Sequence, residues 1–61
     1  MPEVIVYAVE GRSKESKKAL MQDITAAVVR NFGVPAENVV VQIVKSPRDS
    51  KSRGGIPFSE R

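Results

Sequence analysis

The chain contains neither histidine nor cysteine, so the usual neutral-pH bases and soft nucleophiles are missing. What it offers instead is Pro2, directly behind Met1 and just ahead of the apolar run Val4-Ile5-Val6-Tyr7-Ala8-Val9. An initiator methionine that precedes a small residue such as proline is generally removed. Removal would make Pro2 a free secondary amine, and a terminal α-amine titrates near neutrality. Such a group can take up a proton at pH 7. With Met1 in place, the same nitrogen is a tertiary amide with no basic lone pair. The plainer reading of Pro2 is a proline tolerated at the start of a strand.

The other residues with chemical potential are cations. The formal net charge is +3, and Lys45, Arg48, Lys51, Arg53 and Arg61 stand against only Asp49 and Glu60 in residues 45–61. Such a run could grip the phosphates of nucleic acid or a small dianionic substrate, or it could simply be solvated. The three aromatic residues, Tyr7, Phe32 and Phe58, do not interleave with it, which argues against nucleic acid. Arg12 sits in Glu10-Gly11-Arg12-Ser13. Its guanidinium could hold a carboxylate through two parallel hydrogen bonds, or pair with Glu10 or a neighbouring Glu. Tyr7 could donate a proton, but in a buried strand it reads more simply as a core aromatic with a satisfied hydroxyl.

These groups need elements to hold them. Residues 3–9 are continuously apolar and β-branched, the pattern of a strand with both faces buried. Glu10-Gly11-Arg12 reads as a turn. Ser13 is a good N-cap, with Glu15 in the first turn to complement the helix dipole. The helix is expected to reach Asn31 or Phe32, with Leu20, Ile24, Ala27 and Val28 on its apolar face and Met21 and Phe32 adjoining. Gly33 and Pro35 end it. Residues 39–44 form a second strand, giving a βαβ unit with parallel strands and a right-handed crossover. Residues 45–53 read as a polar loop, Gly54-Gly55 as a turn or a close backbone approach, and Ile56-Pro57-Phe58 as a short apolar piece that packs on a neighbouring subunit.

Size sets the next constraint. The 61 residues make a single domain, 1–61. A chain this short buries only about 60% of its unfolded surface. With no cysteine there is no disulfide, and no His–Cys cluster to hold zinc. Oligomerisation is the remaining route to a sufficient core. One helix cannot cover both faces of a two-stranded sheet, so the bare face must meet another copy. The apolar runs fall far short of the ~20 residues of a membrane span. No charged-then-apolar leader opens the chain, and the expectation is a cytoplasmic protein that engages no membrane.

Taken together, Pro2, the Glu10-Gly11-Arg12-Ser13 turn, the amphipathic helix, the Val-rich second strand and Gly54-Gly55 resemble the 4-oxalocrotonate tautomerase family of the tautomerase superfamily. The likeness spans nearly the whole chain. It implies an α+β fold: a single βαβ unit with a short C-terminal hairpin, assembled as a hexamer of identical chains or as a hetero-hexamer. It implies an isomerase of aromatic catabolism acting on a small carboxylate substrate, a 2-hydroxydienoate or related unsaturated α-keto acid. By the resemblance, Pro2 is the general base and Arg12 binds a substrate carboxylate. No cofactor or metal is implied, because the substrate's own carbonyl is the electron sink. Two positions depart from the family. Val40 stands where its best-known members carry a second, carbonyl-polarising arginine. Lys51 stands where they carry an aromatic residue. Three readings follow: Arg48, Lys51 or Arg53 replaces the lost cation, a partner chain supplies it, or the activity is reduced or lost. The alternatives are a non-catalytic or partner-dependent subunit of a hetero-oligomer, and a hydratase or dehalogenase with a protonated Pro2 as acid.

Overall fold

A computed structural model of the chain describes residues 1–60. Arg61, counted above among the late cations, lies outside the described residues. The first strand, β1, spans Glu3–Val9. The helix α1 spans Lys14–Phe32, and β2 spans Val40–Ser46. A short antiparallel hairpin follows, with β3 at Ser52–Arg53 and β4 at Ile56–Pro57. This is the α+β fold expected, a βαβ unit with a C-terminal hairpin.

The helix begins and ends where its cap residues dictate. The Ser13 hydroxyl accepts the Ser16 N–H at 3.0 Å, removing one of the orphan donors of the first turn. At the other end Gly33 takes φ 67°, and its N–H donates to Val29 O at 2.9 Å. Glycine adopts this left-handed conformation without the Cβ penalty. After Gly33 a 3₁₀ turn at Ala36–Asn38 redirects the chain. Val39, expected to open the second strand, instead closes this turn by donating to Ala36 O at 3.0 Å.

The two long strands pair in parallel, from Glu3 opposite Val40 to Val9 opposite Ser46. This register carries β2 beyond the apolar run, so Lys45 and Ser46 extend a strand where the sequence suggested loop. Within the supposed polar loop, Arg48–Ser50 also forms a 3₁₀ turn. The hairpin turn places Gly54 and Gly55 at φ 61° and 81°, positive at both central positions as a two-residue hairpin of this twist requires. The Phe58 N–H donates to Lys51 O at 2.9 Å, which folds the C-terminal segment back onto the Arg48 turn.

Burial shows what the chain lacks. Among the described residues none is fully buried. On β1, Val4, Val6 and Ala8 are half-buried, while the alternate Glu3, Ile5 and Tyr7 are exposed. Both faces of the strands were expected to be covered; in the single chain only the helix side is. Leu20 and Phe32 are also exposed in the single chain, while Met21, Ile24, Ala27 and Val28 are half-buried, as are Lys17, Thr25 and Val29. Tyr7 is 70% exposed in the single chain, on the face that the helix leaves bare. The molecule is a slab of 43 × 22 × 13 Å with a radius of gyration of 14.6 Å. A compact domain of this length would have a radius near ~10.5 Å.

Two outcomes follow from this geometry. Ser13→Ala removes the cap and should lower stability by about 1 kcal/mol, read from the thermal or denaturant midpoint. Ile5→Asp puts a charge on the bare apolar face; in sedimentation velocity it should yield smaller species than the unaltered protein, with a midpoint lower by more than about 5 °C.

Candidate active site

Pro2 is half-buried at the mouth of β1. Its carbonyl accepts the Val40 N–H at 3.0 Å, so the sheet ladder extends to the proline and fixes its position. Met1 before it is 89% exposed. Val40 begins β2 opposite Glu3, with its side chain partly exposed. Val40 is therefore next to the proline, and it presents only an apolar side chain.

Arg12 lies at the far end of β1. The six residue-to-residue steps from Glu3 to Val9 put about 20 Å between the two ends of β1. Pro2 and Arg12 of one chain therefore cannot touch the same small acid. Arg12 lines two cavities at the carboxyl ends of the parallel strands. One, of about 510 Å³, lies on the helix side, with Val6, Ala8, Leu20 and Ile43 as an apolar floor and Lys17 and Lys45 near the rim. The other, also about 510 Å³, opens on the bare face, between Tyr7, Glu10, Gly11, Arg12, Arg48 and Phe58.

Glu10 was one possible partner for Arg12. It is used otherwise: its Oε1 accepts the backbone N–H of Arg48 at 3.2 Å, while its own N–H donates to Ser46 O at 2.9 Å. Gly11 then takes φ 119°, a backbone state that L-residues with a side chain rarely adopt. A Cβ at Gly11 would stand 3.1 Å from Arg48 Nη2. The glycine thus provides both the turn and the space for the Arg48 guanidinium.

The two other candidate cations lie elsewhere. Lys51 and Arg53 are exposed and line neither cavity. The Arg53 guanidinium sits 5.8 Å from the centroid of the Phe58 ring, a cation–π distance. Sequence reasoning treated Arg48, Lys51 and Arg53 as equivalent and gave Arg48 no fixed place. The signal was available: parallel strands bring the residues that follow each strand to the same end of the sheet. Among the described residues, no cluster of acidic, His or Cys side chains could hold a metal, and no helix is long and apolar enough to cross a membrane.

With this geometry in view, comparison with known proteins is decisive. The model of the tautomerase enzyme family matches residues 2–61. The chain belongs to the tautomerase family. It is 49% identical over 61 residues to a probable tautomerase of Bradyrhizobium diazoefficiens, covering all of this chain and 91% of that one. It is 38% identical over 60 residues to a 2-hydroxymuconate tautomerase of Comamonas testosteroni, covering 98% and 95%. Among solved structures, the heterohexameric 4-oxalocrotonate tautomerase of Chloroflexus aurantiacus superposes with a TM-score of 0.87 at 33% identity, over 98% of this chain and 97% of that one. The parallel pairing brings the residues that follow β1 and β2, from Glu10 to Arg12 and Arg48, to the same end of the sheet.

Gly11→Ala tests the turn at that end. The strained backbone should cost roughly 1–3 kcal/mol, measured by denaturant unfolding.

Proposed function

We propose that the protein is a tautomerase that interconverts enol and keto forms of a 2-hydroxydienoate or related unsaturated α-keto acid, with Pro2 as the proton carrier. Family membership supports the reaction class, and the name of the Comamonas relative points to the substrate type. The observation that carries the reading is the Val40 N–H to Pro2 O hydrogen bond. It anchors the residue that becomes the chain terminus once Met1 is removed. A base held by the sheet ladder does not spend its reaction geometry on searching.

The chemistry needs few groups. The free Pro2 nitrogen takes the proton from the enol hydroxyl and returns one to carbon of the conjugated system. A secondary amine in partly apolar surroundings, near cations, loses affinity for its proton, which brings it toward the working pH. Arg12 holds a carboxylate of the substrate and so fixes which carbon faces the amine. Because β1 separates Pro2 from Arg12, a complete site takes Pro2 from one copy and Arg12 from another. Assembly through the bare face of Ile5 and Tyr7 is the route to that arrangement. The heterohexameric relative keeps open a mixed assembly, in which another chain supplies the cation that Val40 does not. Lys51 and Arg53 of a neighbouring copy are further candidates for carboxylate contacts. On this reading the protein is a cytoplasmic enzyme of aromatic catabolism that engages neither nucleic acid nor membrane.

A second reading rests on Val40. A missing electrostatic donor commonly costs a few kcal/mol of transition-state stabilisation, so the chain would then serve as a non-catalytic or partner-dependent subunit. Ketonisation of 2-hydroxymuconate, followed by ultraviolet absorbance on protein shown by mass to lack Met1, separates the two. On the tautomerase reading, Pro2→Ala lowers turnover by about 10²–10⁴ with the assembly intact. Arg12→Ala raises KM. Turnover equal in the unaltered protein and in Pro2→Ala would reject the proline chemistry.

A further inference from the structure

The fold gives Arg48 a place beside Arg12 that its position in a polar loop does not suggest. Pro47 precedes it, and the Ser50 N–H closes the 3₁₀ turn onto Pro47 O at 3.0 Å. The Glu10 carboxylate holds the Arg48 backbone N–H, across 38 residues of sequence. From there the Arg48 side chain lies against Gly11, whose missing Cβ leaves room for Nη2. Arg48 and Arg12 line one cavity on the bare face of the sheet, with Tyr7 and Phe58 as its aromatic members.

Among the described residues, neither guanidinium is paired with a carboxylate. The one carboxylate in the cavity wall, Glu10, accepts a backbone N–H instead. Two cations gathered in one small concavity repel each other unless an anion lies between them. Each guanidinium also carries five N–H donors in a fixed fork, with no acceptor. The opposite end of the same sheet is different: there Val40, apolar, adjoins Pro2. The positive charge of this face is therefore concentrated at the end away from the proline.

We propose that Arg48 is a second carboxylate-binding residue, and that Arg12 and Arg48 of one chain together hold the substrate carboxylate remote from the reacting carbonyl. This rests on the tautomerase reading for what the site does, and on the shared cavity for which end of the acid it holds. Arg48 does not restore the cation lost at Val40. It strengthens the far anchor, so the site selects acids with a carboxylate at the end of the conjugated chain and leaves the carbonyl end to apolar contact and to Pro2.

The test uses cis,cis-muconate, a dicarboxylate without the 2-hydroxyl, which offers the same terminal carboxylate but cannot ketonise. Its affinity is measured by titration calorimetry on the assembled protein lacking Met1, for the unaltered chain and for Arg48→Ala, Arg48→Lys, Arg12→Ala and the double Arg12→Ala/Arg48→Ala. Sedimentation confirms that each variant assembles, and Arg48 is exposed, so its truncation leaves packing in place. Loss of charge-assisted hydrogen bonds predicts a Kd roughly ten-fold higher in Arg48→Ala. Arg48→Lys, which keeps the charge but not the fork, should fall between. Arg12 and Arg48 acting on one carboxylate should be coupled, so the double variant loses less than the two single losses combined. In turnover assays KM should rise in Arg48→Ala with kcat little changed. An unchanged Kd in Arg48→Ala overturns the proposal, as does a failure of the unaltered protein to bind muconate. Turnover that depends on Pro2 together with an unchanged Kd removes only the role of Arg48. Arg48-dependent binding without turnover removes only the tautomerase reading.

Discussion

The parallel pairing of β1 with β2 is the constraint from which the rest of the molecule follows. Its register, Glu3 opposite Val40 through Val9 opposite Ser46, decides which residues share an end of the sheet. At one end the ladder runs on to the Pro2 carbonyl. At the other it runs on to the Glu10 N–H and Ser46 O, and from there to the Glu10 carboxylate on Arg48. A slip of one residue would turn each side chain of a strand to the opposite face. It would also part Pro2 from Val40 and Arg48 from Gly11. The ladder, together with the Glu10 carboxylate on the Arg48 N–H, sets the distances that matter for chemistry.

That dependence comes with a deficit in burial. The helix covers one side of the sheet and leaves Ile5, Tyr7 and Val40 in water. Exposing this much apolar surface is unfavourable, and patches of this kind mark association sites. On our reading the same deficit explains why the chemistry is divided. A monomer with a complete core could keep its base and its anchor in one pocket. Here both lie at the rims of an incomplete slab, and on our reading assembly covers the apolar face and joins the two rims in the same event.

Much of this fold is legible in the sequence, for identifiable reasons. Ser13 and Gly33 are strong local signals because each satisfies backbone groups within its own turn. The Val-rich run beginning at Val39 marks β2, although a local 3₁₀ turn takes its first residue and pairing with Ala8 and Val9 adds Lys45 and Ser46. Periodicity marks Leu20 and Phe32 as apolar-side residues, and they stay exposed in the single chain because the pattern reports a face that can be buried and not what lies opposite it. For the candidate site, the residue types at 2, 12 and 40 are visible in sequence, and so is the departure at Val40. The separation of Pro2 from Arg12 needs the strand in three dimensions. The position of Arg48 needs the register as well, since a contact across 38 residues has no local signature.

The distance that β1 keeps between Pro2 and Arg12 bears on how such a chain can evolve. On the proposed reading every copy donates a base to one neighbourhood and an anchor to another, so the two contributions are separately heritable. After a gene duplication, one copy can lose the proline function while its partner loses the anchor, and the mixed ring still holds complete sites. Divergence of that kind passes through no inactive assembly, provided both genes remain expressed. A strand only seven residues long thus makes division of labour between paralogues an accessible path, with Val40 as the kind of substitution that a partner chain can complement.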